Sequence, residues 1–222
     1  MPLINSEIYR TIKDRILFLE YNPGQILNEN TLAKEFGVSR TPLREVLSRL
    51  EWEQLARILP RTGIMVTEIE FQKMMHVFQV RFGIEGLVGS LVAEKITDDH
   101  LDKIDKIRKE CIQLLDRKSR KDLVNIDFKF RDVLYEAANN PVLRDISQYL
   151  YDLTLRLWYI ISDRGDWAEE VRPLLDEIEQ THEVLSRRDP QEAAKLRREF
   201  LIKHFARIRS KFLGIPSKVP EV

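Results

Sequence analysis

The sequence predicts a mainly α-helical chain, an N-terminal winged helix-turn-helix followed by an all-helical antiparallel bundle. Three observations lead there. Two short amphipathic stretches meet across Gly37, the arrangement of a helix-turn-helix. The run LARILPRTGIMVTEI is rich in Ile, Val and Leu and breaks in its middle at Pro-Arg-Thr-Gly, which reads as two short strands around a hairpin tip. From Phe71 onward, long segments carry apolar residues at helical spacing with no strand signal between them. The expected division is residues 1–70 for the winged helix, 71–215 for the helical domain and 216–222 for a frayed tail.

In NSEIYRTIKDRILFLE, residues 5–20, the residues Ile8, Ile12, Ile16 and Leu19 recur at helical intervals and predict a half-buried helix. YNPGQ at 21–25 is a turn, because Asn-Pro-Gly stops a helix. LNENTLAKEFGVS then predicts a short helix with Leu32, Ala33 and Phe36 inward, closed by Gly37 as a left-handed cap. VSRTPLREVLSRL follows, with Ser39 as N-cap and Pro42 in the first turn, where its missing N–H costs nothing. Leu43, Val46, Leu47 and Leu50 form the stripe this helix buries. Arg40, Thr41 and Arg44 fall off the stripe near its N-terminal end. Such a helix packs on one side and offers polar and guanidinium groups to a DNA major groove on the other. The hairpin tip spans Pro60 to Gly63, and Arg57 and Arg61 place positive charge on the wing, suited to phosphates or a minor groove. Six further helices are expected near 71–95, 98–116, 120–138, 141–163, 168–187 and 190–212. Their starts carry capping chemistry: Thr97, Asn140-Pro141, and Asp189-Pro190-Gln191-Glu192 in capping-box spacing.

Composition narrows the function. Lys+Arg and Asp+Glu number 36 each, so net charge is zero and any affinity for nucleic acid has to come from a local patch. Between Lys34 and Arg61 six basic residues face four glutamates, a mildly basic stretch. Cys111 stands alone, which leaves no disulfide framework or thiolate zinc cluster and suits a reducing cytoplasm. MPLINSEIYR lacks the basic and apolar regions of a signal peptide, and the apolar run Leu153–Ile161 is short and interrupted by Arg156. A cytoplasmic protein with no membrane segment is therefore expected.

The four histidines are His76, His100, His182 and His204. His100, beside Asp98 and Asp99, is expected at the solvated surface, and His76 receives no role. His182 and His204 fall on the last two helices, antiparallel neighbours across an Arg-Arg-Asp-Pro turn, at unequal distances from it. A shared metal site and two ordinary core or surface histidines both remain open. Asp127 and Arg131 have the spacing of a helical i,i+4 ion pair. Glu179 and His182 form one Glu-x-x-His unit, but a di-iron bundle needs two, and no other histidine supplies the second. There is no Gly-rich phosphate loop and no Ser or Cys nucleophile motif, so an enzyme is not expected.

The order helix, helix, SRTPLREVLSRLE and a Pro-Arg-x-Gly wing resembles the GntR family of bacterial transcription regulators. The stretches VRFGIEG, DFKFRDVLYEAANNP, HEVLSRRDPQEAAKL and KHF resemble the FCD ligand-binding domain of its FadR subfamily. The resemblance runs from about Ser6 to Phe212. It implies a homodimer on a pseudo-palindromic operator, with a small organic-acid effector in the helical domain changing operator affinity. Carried over, Arg40 and Arg44 are recognition-helix arginines, and Ser39, Thr41, Arg61, Thr62 and Gly63 are further DNA contacts. Asn30 stands where one member has an arginine. Many FCD domains hold a divalent metal of the zinc, nickel or manganese type with one Asp and three His. Asp127, His182 and His204 match three of those positions, while the remaining one is Arg131. A guanidinium has no lone pair to donate and repels a dication. The resemblance therefore leaves two outcomes: Arg131, helped by Arg81, holds an anionic effector in place of a metal, or a three-ligand site survives. A metal-responsive regulator or a metal-dependent enzyme using Asp127, His182 and His204 is the alternative.

Overall fold

The computed structural model describes residues 2–163 and 165–214; the tail expected over 216–222 lies outside them. In chain order the elements are α1 (Pro2–Leu17), β1 (Ile26–Leu27), α2 (Glu29–Glu35), α3 (Arg40–Trp52), β2 (Ala56–Leu59), β3 (Gly63–Val66) and α4 (Phe71–Lys95). They continue with α5 (Asp98–Gln113), α6 (Arg120–Ala138), α7 (Pro141–Ile161), α8 (Trp167–Ser186) and α9 (Pro190–Leu213). The chain separates into one compact unit running to Met74 with Asp152–Arg156 added, and a second made of Met75–Tyr151 and the residues from Leu157 on.

In the first unit α3 packs on α1, α2 and β2. Its stripe of Leu43, Val46, Leu47 and Leu50 is buried, as are Ile8, Ile12 and Ile16 of α1. Leu19, expected inside that first helix, lies beyond its end with φ +61°. Gly37 takes φ +64° just after α2, the left-handed turn that separates α2 from α3. Asn28 caps α2 by accepting from the backbone N–H of Asn30 and Thr31. Ser39 has the extended backbone of an N-cap, but its hydroxyl makes no capping bond.

The sheet has three strands where two were expected. Their order is β1-β3-β2, all antiparallel, with Leu27 opposite Ile64 and Ile58 opposite Ile64 on the other side. A two-residue strand such as β1 is too short to show alternation in a sequence. Gly63 opens β3 at φ +137°, and a Cβ there would lie 2.4 Å from the Leu27 carbonyl oxygen, so only glycine fits between the paired strands.

In the second unit α5 packs on α6 and α8, and α8 also packs on α6 and α9. The caps expected at Thr97, Asn140 and Asp189 form. His100 is a correction: its ring accepts from the Thr97 N–H and completes a capping box, so it is half-buried helix-start chemistry and not a solvated side chain. α4 carries Gly86 and Gly89 against α9; a Cβ on Gly89 would lie 2.5 Å from the Ala193 carbonyl oxygen. That close approach sets Arg197 of α9 beside Glu85 of α4. Among the described residues no helix is long and apolar enough to cross a membrane.

Candidate functional site

The buried stripe of α3 decides which of its residues are left outside. Ser39, Arg40, Thr41 and Arg44 are all exposed at its N-terminal end. Arg40 and Arg44 line a shallow groove whose other wall is the hairpin tip, Arg61, Thr62 and Gly63. Asn28, Glu29 and Asn30, at the start of α2, complete it. Five of the seven residues expected to meet DNA are thus brought to one groove, with Asn30 beside them; Ser39 and Thr41 stand next to it without lining it. Arg44 donates from Nε to Glu29 at 3.0 Å and keeps 63% of its side chain exposed. Arg61 sits at the tip with φ +64°, a left-handed conformation that non-glycine residues adopt mostly where a turn demands it. Arg57 is exposed on β2, outside the groove.

The second unit holds a cavity of about 260 Å³. Asp127 and Arg131 of α6, Glu177 of α8, and His204 and Arg207 of α9 line it, with Trp158, Leu174, Phe200 and Leu201 as apolar wall. Beneath it runs a buried charge network that local sequence does not reveal. Arg131 donates from Nη1 to Glu85 at 2.8 Å and from Nε to Asp127 at 3.2 Å. Arg197 donates to the same Glu85 oxygen at 2.8 Å and to Glu177 at 2.5 Å. The Tyr151 hydroxyl donates to Asp127 at 2.5 Å. One network therefore ties α4, α6, α7, α8 and α9 together. Burial by itself would raise the Glu85 carboxyl, but the guanidiniums of Arg197, Arg131 and Arg81 outweigh it and bring it down to about 2. Its sequence signs are two pairs with i,i+4 spacing, Asp127 and Arg131 in α6 and Arg81 and Glu85 in α4.

Of the two arginines expected to hold an effector, Arg131 lines the cavity and Arg81 does not. Arg81 is buried against the rings of Phe78 and Tyr151. Of the three expected metal ligands, Asp127 and His204 line the cavity, and half-buried His182 is not among its lining residues. Among the described residues no three His, Cys, Asp or Glu side chains are grouped to hold a metal ion. This donor set does not fit a divalent ion: Asp127 is committed to Arg131 and Tyr151, and a fixed guanidinium occupies the fourth position. His204 packs edge-on to Trp158 at 5.4 Å. Burial, reinforced by Arg207, Arg81 and Arg131, holds its imidazole well below the ordinary pKa, and hence neutral.

Residues 4–66 match the family model of bacterial regulatory proteins of the gntR family, and residues 76–203 match that of the FCD domain. The chain is similar to the HTH-type transcriptional regulator YdhC of Bacillus subtilis, 26% identical over 90% of this chain and 86% of that protein. It is similar also to the HTH-type transcriptional repressor RspR of Escherichia coli, 26% identical over 72% of this chain and 70% of that one. Among solved structures, Escherichia coli McbR/YncC superposes with a TM-score of 0.84 at 19% identity, over 94% of this chain and 98% of that chain. A transcriptional regulator GntR from Rhodococcus sp. RHA1 superposes at 0.72 and 17% identity, over 93% and 97%. At these identities the structural likeness speaks to the fold.

Proposed function

The chain belongs to the GntR family of bacterial regulatory proteins and carries an FCD domain, and from that premise we propose how it reads DNA and what controls it. It is a DNA-binding transcription regulator. In the proposed reading two copies bind a pseudo-palindromic operator in the cytoplasm, each placing the N-terminal end of α3 in a major groove. The observation that carries this is the groove itself, where Arg40 and Arg44 of α3 stand opposite Arg61, Thr62 and Gly63 of the wing. Arginine suits both tasks there, as a bidentate partner of guanine or as a fork around a phosphate. A small organic acid in the helical cavity shifts the population between DNA-competent and incompetent states through contacts that differ between them.

The test is retardation of DNA from the region upstream of the protein's own gene, as a function of salt. Affinity is expected to fall by about a thousandfold or more between 50 and 200 mM salt if six or more phosphates are contacted per dimer. Absence of retardation at the lowest salt would overturn the reading. For self-association, Val80, Gly83 and Leu87 stand exposed at i, i+3 and i+7 along α4, an apolar stripe of the kind that pairs helices. Leu87→Glu is expected to halve the mass measured by light scattering and to weaken operator binding roughly a hundredfold, since one copy holds one half-site. An unchanged mass would place the dimer interface elsewhere.

A further inference from the structure

Arg207 is the cavity's guanidinium with no carboxylate in hydrogen-bond contact: Glu170 and Glu177 act on its charge from nearby, but they are paired with Lys211 and Arg197. Arg131 is already held by Asp127 and Glu85, and Lys203 is exposed to water. Glu177, the lining carboxylate nearest in type to a partner, is taken by Arg197. Arg207 is half-buried, and its Nε is fully buried with no hydrogen-bond partner. Its Nη2 donates to His204 Nδ1 at 3.3 Å. A guanidinium donates and never accepts, so His204 Nδ1 carries no proton there and Nε2 does. An orphaned buried donor on a cation carries a desolvation cost that an arriving acceptor would relieve, and of the guanidiniums with a buried orphan Nε, Arg156, Arg197 and Arg207, Arg207 is the one that lines the cavity.

We propose that Arg207 anchors the carboxylate of the effector, and that the effector is a small monocarboxylate with a short apolar body. This rests on the reading of the cavity as the effector site. One negative charge follows from the pairing: Arg131 is held by Asp127 and Glu85, and Arg207 is the lining guanidinium that no carboxylate touches. A second negative charge would face Asp127, Asp176 and Glu177 with no further buried cation open to it. Trp158, Leu174, Phe200 and Leu201 supply the wall for the apolar body. In this proposal Arg207 offers, on the α9 side, positive charge that a donor set unfit for a divalent ion does not hold.

Thermal unfolding of the full chain in the presence of EDTA and at constant ionic strength tests this, comparing wild type with Arg207→Met and Arg207→Lys. Without added acid, Arg207→Met is expected to melt at or above wild type, because it removes an unpaired half-buried charge and keeps the side-chain length. Butyrate or benzoate at about a hundredfold excess over its Kd is expected to raise the wild-type midpoint by roughly 5–10 °C. Arg207→Met should lose that shift and Arg207→Lys should keep part of it, while inorganic phosphate should leave wild type unmoved. Three results would overturn the proposal: Arg207→Met melting below wild type, equal shifts in wild type and Arg207→Met, or no response of wild type to either monocarboxylate. An equal response to phosphate would overturn the carboxylate class. Operator retardation separates the two levels: DNA binding that persists and responds to another ligand class leaves the proposed function standing while this inference fails.

Discussion

Glu85→Ala is expected to destabilise the protein by about 3–5 kcal/mol, the cost of leaving buried charges without their partner, or roughly 6–20 °C in melting midpoint. Glu85 is 4% exposed and a single one of its oxygens accepts from both Arg131 and Arg197. Its removal leaves each guanidinium with one remaining carboxylate, Asp127 for Arg131 and Glu177 for Arg197. The pH dependence separates this from a simple cavity. The Glu85 carboxyl lies at about 2 in the folded chain against an ordinary 4.5. A group depressed on folding contributes stability that is fully present above its unfolded value and is lost as pH falls through the folded one. Wild type should therefore lose about 3 kcal/mol from this group between roughly pH 5 and pH 2. Glu85→Ala, measured by urea unfolding across that window, should show a flatter profile. Equal slopes would mean that Glu85 is not the carboxylate the network depends on.

Arg44→Ala is expected to weaken operator binding by about 1–3 kcal/mol, roughly 5- to 150-fold in Kd, with little change in stability. Its side chain is 63% exposed and pairs with Glu29, a surface interaction worth at most about 1 kcal/mol. DNA has therefore only a weak resting partner to displace. A base-reading role predicts a loss at the operator that exceeds the loss on unrelated DNA. A uniform loss on both, with the salt slope reduced by about one, would make Arg44 a phosphate contact. Operator binding as tight as wild type would remove Arg44 from the interface altogether.

What could be read in the sequence follows from the range of the physics involved. The α3 stripe is set by spacing within one helix, so Leu43, Val46, Leu47 and Leu50 were legible as the buried face, and the exposure of Arg40 and Arg44 followed. Helix starts were legible because capping is local, as at Asn140 and Asp189. Helix ends were less so: α5 stops at Gln113, short of the periodicity that carries on to residue 116. The cavity depends on the registers of several helices at once. Arg131 stood out as an odd residue beside Asp127, yet its shorter contact, to Glu85, spans 46 residues and nothing local joins them. Arg207 had no local sign at all, because a guanidinium that no carboxylate touches is visible only once the neighbouring carboxylates have been placed.

The lodging of Gly63 against the Leu27 carbonyl has a consequence for what kind of DNA is accepted. β1 runs straight into the capped start of α2, and β3 runs back from the wing tip, so the ladder between them ties the wing wall of the groove to its α2 end. If DNA seats in the proposed groove, a wing tied in this way would meet it at a set spacing, and a duplex that reaches that spacing only by costly deformation would bind more weakly, even at positions that no side chain touches.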